Sequence, residues 1–371
     1  MELLNATGMP AGYTLGMQPD GRELLVVAIK GSFTIPQNGE APRLAAEQVP
    51  LFEADVFTGE PGFSAPLYES DFAPHKPRCD VLLNGSAYAP GGKPVRRVRV
   101  FLQVGSTSKS FDVVGNRVWK KRLFSVRASK PEPFTVLPIS YNNAFGGVDN
   151  THKQEKKHRA YFTNPVGMGF HSNRKAKFVQ NQPLPNAEEP GKRIKKPHGR
   201  YNPMALGPIG RSWPPRPKYA GTYDDNWLEN VFPFLPTDFD DAYYQSAPID
   251  QQIDYLRGGE EIVLSNLTPQ GHTRFHIPQI IIPVVFFLKN GETYKTHGIA
   301  DTLVLKPDAG HFMVTWRASL PLKKNMFEVI QVLTGEMSRG WWRARESGKT
   351  YYRSLEELIR EKRQEAGEEI E

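Results

Sequence analysis

Leu24-Leu-Val-Val-Ala-Ile-Lys-Gly-Ser-Phe-Thr-Ile35 is an apolar, β-branched run closed by Pro19-Asp-Gly21 on one side and by Pro36 on the other. Such a run between turn signals reads as a buried strand. Working outward, Val49–Phe57, Asp80–Tyr88, Val95–Val104 and Phe111–Trp119 are the next strand candidates, punctuated by Pro90-Gly-Gly92 and Gly105. Their order predicts an antiparallel meander. Within it, Arg96-Arg-Val-Arg-Val-Phe-Leu-Gln103 alternates polar and apolar residues over most of its length, as a sheet with one wet face does.

Strand signals resume at Glu261–Leu267, Ile280–Leu288, Thr302–Lys306 and His311–Ala318. Lys289-Asn-Gly-Glu292 carries the Asn-Gly of a hairpin turn, and Pro307-Asp-Ala-Gly310 is a second turn. Glycine and proline, 32 of each in 371 residues, disfavour a helical bundle. The fold class is therefore mainly β, in antiparallel sandwich-like lobes. Helix is expected only late, over Lys323–Leu333 and from the capping-box pattern Ser354-Leu-Glu-Glu357 to about Ala366.

Between the two strand-rich parts, Pro138 to Gly259 is written in short phrases of Gly, Pro, Asn and aromatics. Examples are Tyr141-Asn-Asn-Ala-Phe-Gly-Gly147, Asn164-Pro-Val-Gly-Met-Gly-Phe170, Gly207-Pro-Ile-Gly-Arg-Ser-Trp-Pro-Pro-Arg216 and Leu235-Pro-Thr-Asp-Phe-Asp240. This stretch lacks periodic apolar residues and is too aromatic for a solvated linker, so it reads as ordered loop, the usual seat of binding. The chain divides on this reading into one domain over 1–322 and a helical extension over 323–371. Within the domain, a β lobe (1–137), a loop-rich recognition region (138–260) and a second β lobe (261–322) follow one another. Two separate lobes or one continuous assembly both fit; the absence of a Ser/Gly-rich linker favours the second.

A lone cysteine, Cys79, excludes a disulfide framework and a multi-thiolate zinc site, and points to a reducing compartment. The N-terminal stretch has no basic segment followed by an apolar run, and the longest apolar run, Ile277 to Leu288, is interrupted by prolines and too short to span a bilayer. A cytoplasmic protein without membrane contact is expected. The net charge of +7 is uneven: residues 151–200 hold 12 Lys and Arg against 3 Glu, leaving −2 for the rest.

Chemistry-bearing motifs are weak. Gly348-Lys-Thr350 lacks the first glycine of a phosphate loop, Gly167-Met-Gly169 lacks the third glycine of a dinucleotide fingerprint, and no nucleophile elbow or zinc-binding helix motif occurs. His272 and His276 lie on one face of an expected strand, and His75 precedes Cys79 by four residues; solvent-facing histidines and a buried thiol are the plainer readings. Asp224, Asp225, Asp238, Asp240, Asp241 and Asp250 fall in one loop-rich stretch and suit acid–base work or a hard cation, although Asp equally sets caps and turns. The basic patch of Lys153, Lys156, Lys157, Lys192, Arg193, Lys195 and Lys196 ranks first as a solvated face, then as a docking site for an acidic protein, and last as a nucleic-acid site. No catalytic residue, metal or cofactor is assigned.

Several phrases closely resemble a bacterial domain-of-unknown-function family whose genes lie beside those for the VgrG spike and PAAR tip proteins of type VI secretion systems. They are Ser70-Asp-Phe-Ala-Pro-His-Lys-Pro-Arg-Cys-Asp80, Tyr141–Gly147, Asn164–Phe170, Leu184-Pro-Asn-Ala-Glu188, Gly207–Arg216, Ala220-Gly-Thr-Tyr-Asp224, Leu235–Asp240, Gln245-Ser-Ala-Pro-Ile-Asp-Gln251, Leu256-Arg-Gly-Gly-Glu260 and Val314-Thr-Trp-Arg317. The resemblance covers roughly Leu24 to Leu322. It implies a non-enzymatic adaptor or chaperone that binds a toxic effector in the cytoplasm and helps load it onto the VgrG/PAAR spike. It carries over no site residues. The tail after Leu322 and the insert Thr151–Lys157 match none of the phrases, so partner choice is expected there. Candidate partner anchors are Arg211, Trp213, Arg216, Tyr219, Tyr223 and Trp227. The same residues equally suit a small core that orders the loop itself.

Overall fold

The computed structural model describes residues 1–37, 40–122, 125–172, 175–352 and 354–365. Three sheets carry the fold, and each draws on distant parts of the chain. The largest is six-stranded, in the order Gln252–Ile253, Cys79–Leu83, Ile299–Lys306, His311–Pro321, Glu23–Thr34, Ala11–Met17. Its spine is the antiparallel pair Glu23–Thr34 and His311–Pro321, in register from His311 opposite Thr34 to Pro321 opposite Leu24. The run read first from the sequence is thus a central strand, buried along nearly its whole length.

The second sheet is five-stranded and antiparallel: Ala187–Glu188, Thr107–Val114, Arg97–Val104, Glu261–Ser265, His272–His276. In the third sheet, Glu2–Asn5 runs parallel to Val329–Thr334, followed by Pro283–Leu288 and Thr293–His297. Leu25, Val27 and Ile29 of the large sheet share one buried cluster with Val100, Leu102 and Ile262 of the second and Val284, Phe286 and Val332 of the third. Each such side chain contributes about 1.5–3 kcal/mol on burial. The mainly β, sandwich-like class read from the sequence is what forms.

Connectivity differs from the expected meander. Cys79–Leu83 lies parallel to Ile299–Lys306, and Arg97–Val104 pairs with Glu261–Ser265, so strands from 1–137 and 261–322 interleave in shared sheets. Of the strand expected over Val49–Phe57, only Val56–Phe57 forms, against Pro66–Tyr68. The rest is held by side chains: Ser32 Oγ accepts from Val49 N at 3.1 Å, and Asp71 Oδ2 accepts from Phe52 N at 2.7 Å.

The helix expected over Lys323–Leu333 is instead a short 3-10 turn, Met326–Glu328, and the strand Val329–Thr334. Val329 and Val332 are β-branched and buried, and their strand fills the slot between Glu2–Asn5 and Pro283–Leu288, where a ladder satisfies more backbone than an isolated helix can. The tail therefore joins a sheet before it turns helical. Helix Arg339–Glu346, capped by Ser338, lays Trp341 and Trp342 on Phe287. Helix Leu355–Glu365 follows, with Ser354 Oγ accepting from Glu357 N at 3.2 Å; the expected end at Ala366 lies outside the described residues.

The loop-rich middle is ordered by close backbone approach and by small cores of its own. Phe145–Gly146 pairs in parallel with Met168–Gly169, and Asn164, fully buried, donates from Nδ2 to Tyr141 O at 2.8 Å. A Cβ on Gly146, where φ is 158°, would fall 2.1 Å from Asn164 O, so only glycine lets these two phrases meet. Trp119, Phe145, Val179, Leu184 and Ile194 form one satellite core; Tyr141, Ile209 and Trp213 belong to another.

Candidate functional site

The six expected partner anchors separate into two groups. Trp213 is 5% exposed and meets Tyr141 edge-to-face at 5.5 Å. Arg216, 1% exposed, pairs with Glu69 and donates to Ile209 O and Tyr243 O at 2.9 and 2.7 Å. Arg211 grips Asp55 with two bonds of 2.8 and 3.0 Å. These three order the loop from inside, which was the alternative reading of the same residues.

Tyr219, half-buried, leads out to the second group. Helix Asp225–Asn230 starts at Asp224, whose carboxylate accepts from Trp227 N at 2.9 Å. Trp227 sits between Tyr223 at 4.7 Å and Phe232 at 5.6 Å between ring centroids, and its indole N–H donates to Phe234 O. The outer side chains stay open to solvent: Tyr223 is 55% exposed, Leu228 59% and Phe232 62%. Phe234 lies against Gly21 in the turn that ends the large sheet's open edge, Ala11–Met17, where Tyr13, Leu15 and Met17 are also exposed. An aromatic loop with fixed geometry therefore adjoins an unpaired strand edge. The sequence reading missed Leu228, Phe232 and Phe234, although Phe232-Pro-Phe234 was a readable signal.

Three of the quoted phrases converge on the outer face of the large sheet, and they do so as buried charge. Lys30 meets Asp71 at 2.5 Å, Lys76 meets Asp80 at 2.7 Å, and Arg317 meets Asp301. Asp80 also accepts from Gln245 Nε2 and from the N–H groups of Ser246 and Ala247 at 2.6, 2.8 and 3.1 Å. Burial pushes the Asp80 carboxyl up, but the Lys76 ammonium and these N–H groups outweigh it and hold the group below the ordinary carboxylate range. Burial pushes the Lys30 ammonium down against the pull of Asp71. The space left among these groups is about 20 Å³, room for a water molecule and not for a substrate. This network fastens the loop phrases to the sheet.

Of the expected acidic residues of 224–250, all but Asp225 have a partner in the fold. Asp238 accepts from Thr222 N and Oγ1 at 2.9 and 2.8 Å, Asp240 caps the turn Asp241–Tyr244, and Asp250 pairs with Lys109. Asp225 lies exposed in the first turn of its helix. Among the described residues, no group of three or more His, Cys, Asp or Glu is placed to hold a metal ion. His272 and His276 are exposed on an edge strand. Cys79 is fully buried, and burial pushes its thiol well up. Gly348 ends helix Arg339–Glu346 with φ 65° instead of opening a phosphate loop.

Asp241 Oδ2 lies 2.8 Å from His75 Nδ1, and this hydrogen bond raises the half-exposed imidazole above its ordinary value, with burial opposing. A raised folded value means that the pair's contribution is present below the ordinary pKa and is lost as pH rises through the raised one. An NMR titration should place the His75 midpoint above about 6.5. Asp241→Asn should bring it back; an unmoved midpoint would refute the pairing.

The expected basic patch is also divided. Lys153, Lys156 and Lys157 surround the exposed turn Glu155–Lys157, Lys192 pairs with Glu189 at 2.8 Å, and Lys196 is exposed. Arg193 and Lys195, by contrast, line a groove of about 840 Å³ opposite the hairpin Trp119–Lys121/Val126–Ala128. That hairpin brings Lys120, Lys121, Arg122 and Arg127, none of them among the residues expected to carry the basic patch. Trp119-Lys-Lys-Arg122 carries that signal in the sequence and lies outside the basic segment 151–200.

No helix among the described residues is long and apolar enough to cross a membrane. Residues 20–317 match the family described as "uncharacterized protein conserved in bacteria" (DUF2169). No curated protein and no solved structure matches the chain.

Proposed function

The chain belongs to DUF2169, and we propose that it is a non-enzymatic adaptor that binds a protein partner through the aromatic loop Tyr223–Phe234. The observation that carries this reading is the cluster of Tyr223, Trp227 and Phe232, fixed by a capped helix and left uncovered beside an open strand edge. Rigid exposed aromatics lose little entropy on docking and dominate binding energy in interfaces. The likeness of the quoted phrases to proteins encoded beside VgrG and PAAR genes points to the partner: a type VI effector, held in the cytoplasm until it is loaded on the spike.

The test is co-expression with the proteins encoded on either side of the gene, followed by tagged capture and size exclusion. A stoichiometric complex with a toxin-like neighbour is expected. Tyr223→Ser combined with Phe232→Ser should weaken that complex about 100-fold while leaving the urea midpoint nearly unchanged. A neighbouring toxin that stays soluble and is fully secreted without this protein would refute the adaptor role.

A further inference from the structure

The groove between hairpin Trp119–Lys121/Val126–Ala128 and the Arg193–Lys195 segment has a fixed floor. Glu188 accepts from Arg117 Nη1 at 2.7 Å and Ile194 N at 3.0 Å with one oxygen, and from Arg97 Nη2 at 2.6 Å with the other. Asp112 accepts from Arg97 and Arg99 at 3.1 and 2.8 Å. Among the described residues the lining itself holds no carboxylate, and Glu188 and Asp112 beside it are already spent on Arg97, Arg99 and Arg117. Above them, Lys120, Lys121, Arg122 and Arg127 on one wall and Arg193 and Lys195 on the other are exposed, and among the described residues none has an ion-pair partner. Deeper still, Arg117 is 6% exposed and its Nε has no hydrogen-bond acceptor among the described residues. Like charges crowded in a concave site attract a polyanion strongly.

We infer that this groove binds an acidic, partly aliphatic segment of a partner protein, its carboxylates set on the hairpin cations and on Arg193 and Lys195. Two features separate that ligand from nucleic acid. Among the described residues, the lining has no aromatic side chain on which a base could stack. Between the cations lie the half-buried Val126, Ala128 and Pro131, placed to receive apolar side chains. The site is distinct from the aromatic loop, and the inference stands or falls separately from the adaptor reading.

The experiment is fluorescence anisotropy of the full chain with a fluorescein-labelled peptide of Asp, Glu, Ala and Val, roughly 33 Å long when extended at about ten residues. Binding should weaken as salt rises. Lys120→Glu, Arg122→Glu and Arg127→Glu together should lower affinity at least about tenfold, because they reverse the wall charges. Lys153→Glu, Lys156→Glu and Lys157→Glu together change net charge equally outside the groove and should lower it far less. Tyr223→Ser with Phe232→Ser should leave it unchanged. A milder pair, Lys120→Ala with Arg127→Ala, gives the same direction if the reversal variant fails to fold. No peptide binding, equal losses in the two triple variants, or tighter binding of labelled oligothymidylate that vanishes in the groove variant would each overturn the inference.

Discussion

Replacing Asp80 by Ala is expected to lower unfolding free energy by about 4 kcal/mol, because it strands a buried ammonium. Asp80 is wholly buried and Lys76 is 3% exposed; the lysine keeps only Thr302 Oγ1, at 3.0 Å, once the carboxylate is gone. The N–H groups of Ser246 and Ala247 and the amide of Gln245 lose their acceptor at the same time. Asp80→Asn should cost nearly as much, since its NH2 would face donors. Asp80→Asn combined with Lys76→Met should recover part of the loss, because removing both charges leaves neither unpaired while the Asn NH2 still faces N–H donors. Urea midpoints of the wild type, Asp80→Asn, Lys76→Met and the double variant close the cycle. A single-variant cost below about 1 kcal/mol, the range of an exposed pair, would show that the network is not buried as described. The pH dependence has a definite sign. With its folded value lowered, Asp80 contributes stability above the ordinary carboxylate pKa of about 3.9 and loses it as pH falls below that through the folded value. The double variant should lack that part of the acid limb.

The network also marks where sequence reasoning stops. Leu24–Ile35 was legible as a strand because its burial needs nothing beyond its own composition, and the hairpin at Asn290-Gly291 because Gly291 takes φ 84° there. Which strands become neighbours was not legible. Pairing Glu23–Thr34 with His311–Pro321, and Cys79–Leu83 in parallel with Ile299–Lys306, depends on contacts across more than two hundred residues that no local pattern encodes. Lys323–Leu333 failed differently: its apolar spacing suits a helix, but sheet pairing on both sides overrode that preference. Of the site, the aromatic loop was half legible and the groove was not. Lys120–Arg122 and Arg193–Lys195 are separated by some seventy residues, and only the folded hairpin makes them one surface.

The same distinction governs Arg216, whose residue type and loop context are those of an interface anchor. Its guanidinium instead spans Glu69, Ile209 O and Tyr243 O beneath the surface, with Tyr243's ring 5.7 Å away. Arg216→Ala should therefore cost about 3 kcal/mol of stability, toward the lower end for a buried pair because Arg211 stands 3.8 Å from Glu69 as a substitute partner. Removing Arg211 as well takes that substitute away. Arg211→Ala with Arg216→Ala should then exceed the sum of the single costs, since the Glu69 side chain, 6% exposed, would be left without either cation. Tyr223→Ser provides the opposite case, a surface change expected to stay within about 0.5 kcal/mol. If Arg216→Ala abolished partner capture with an unchanged urea midpoint, Arg216 would be a docking residue, and the satellite core around Trp213 would have to open when the partner binds.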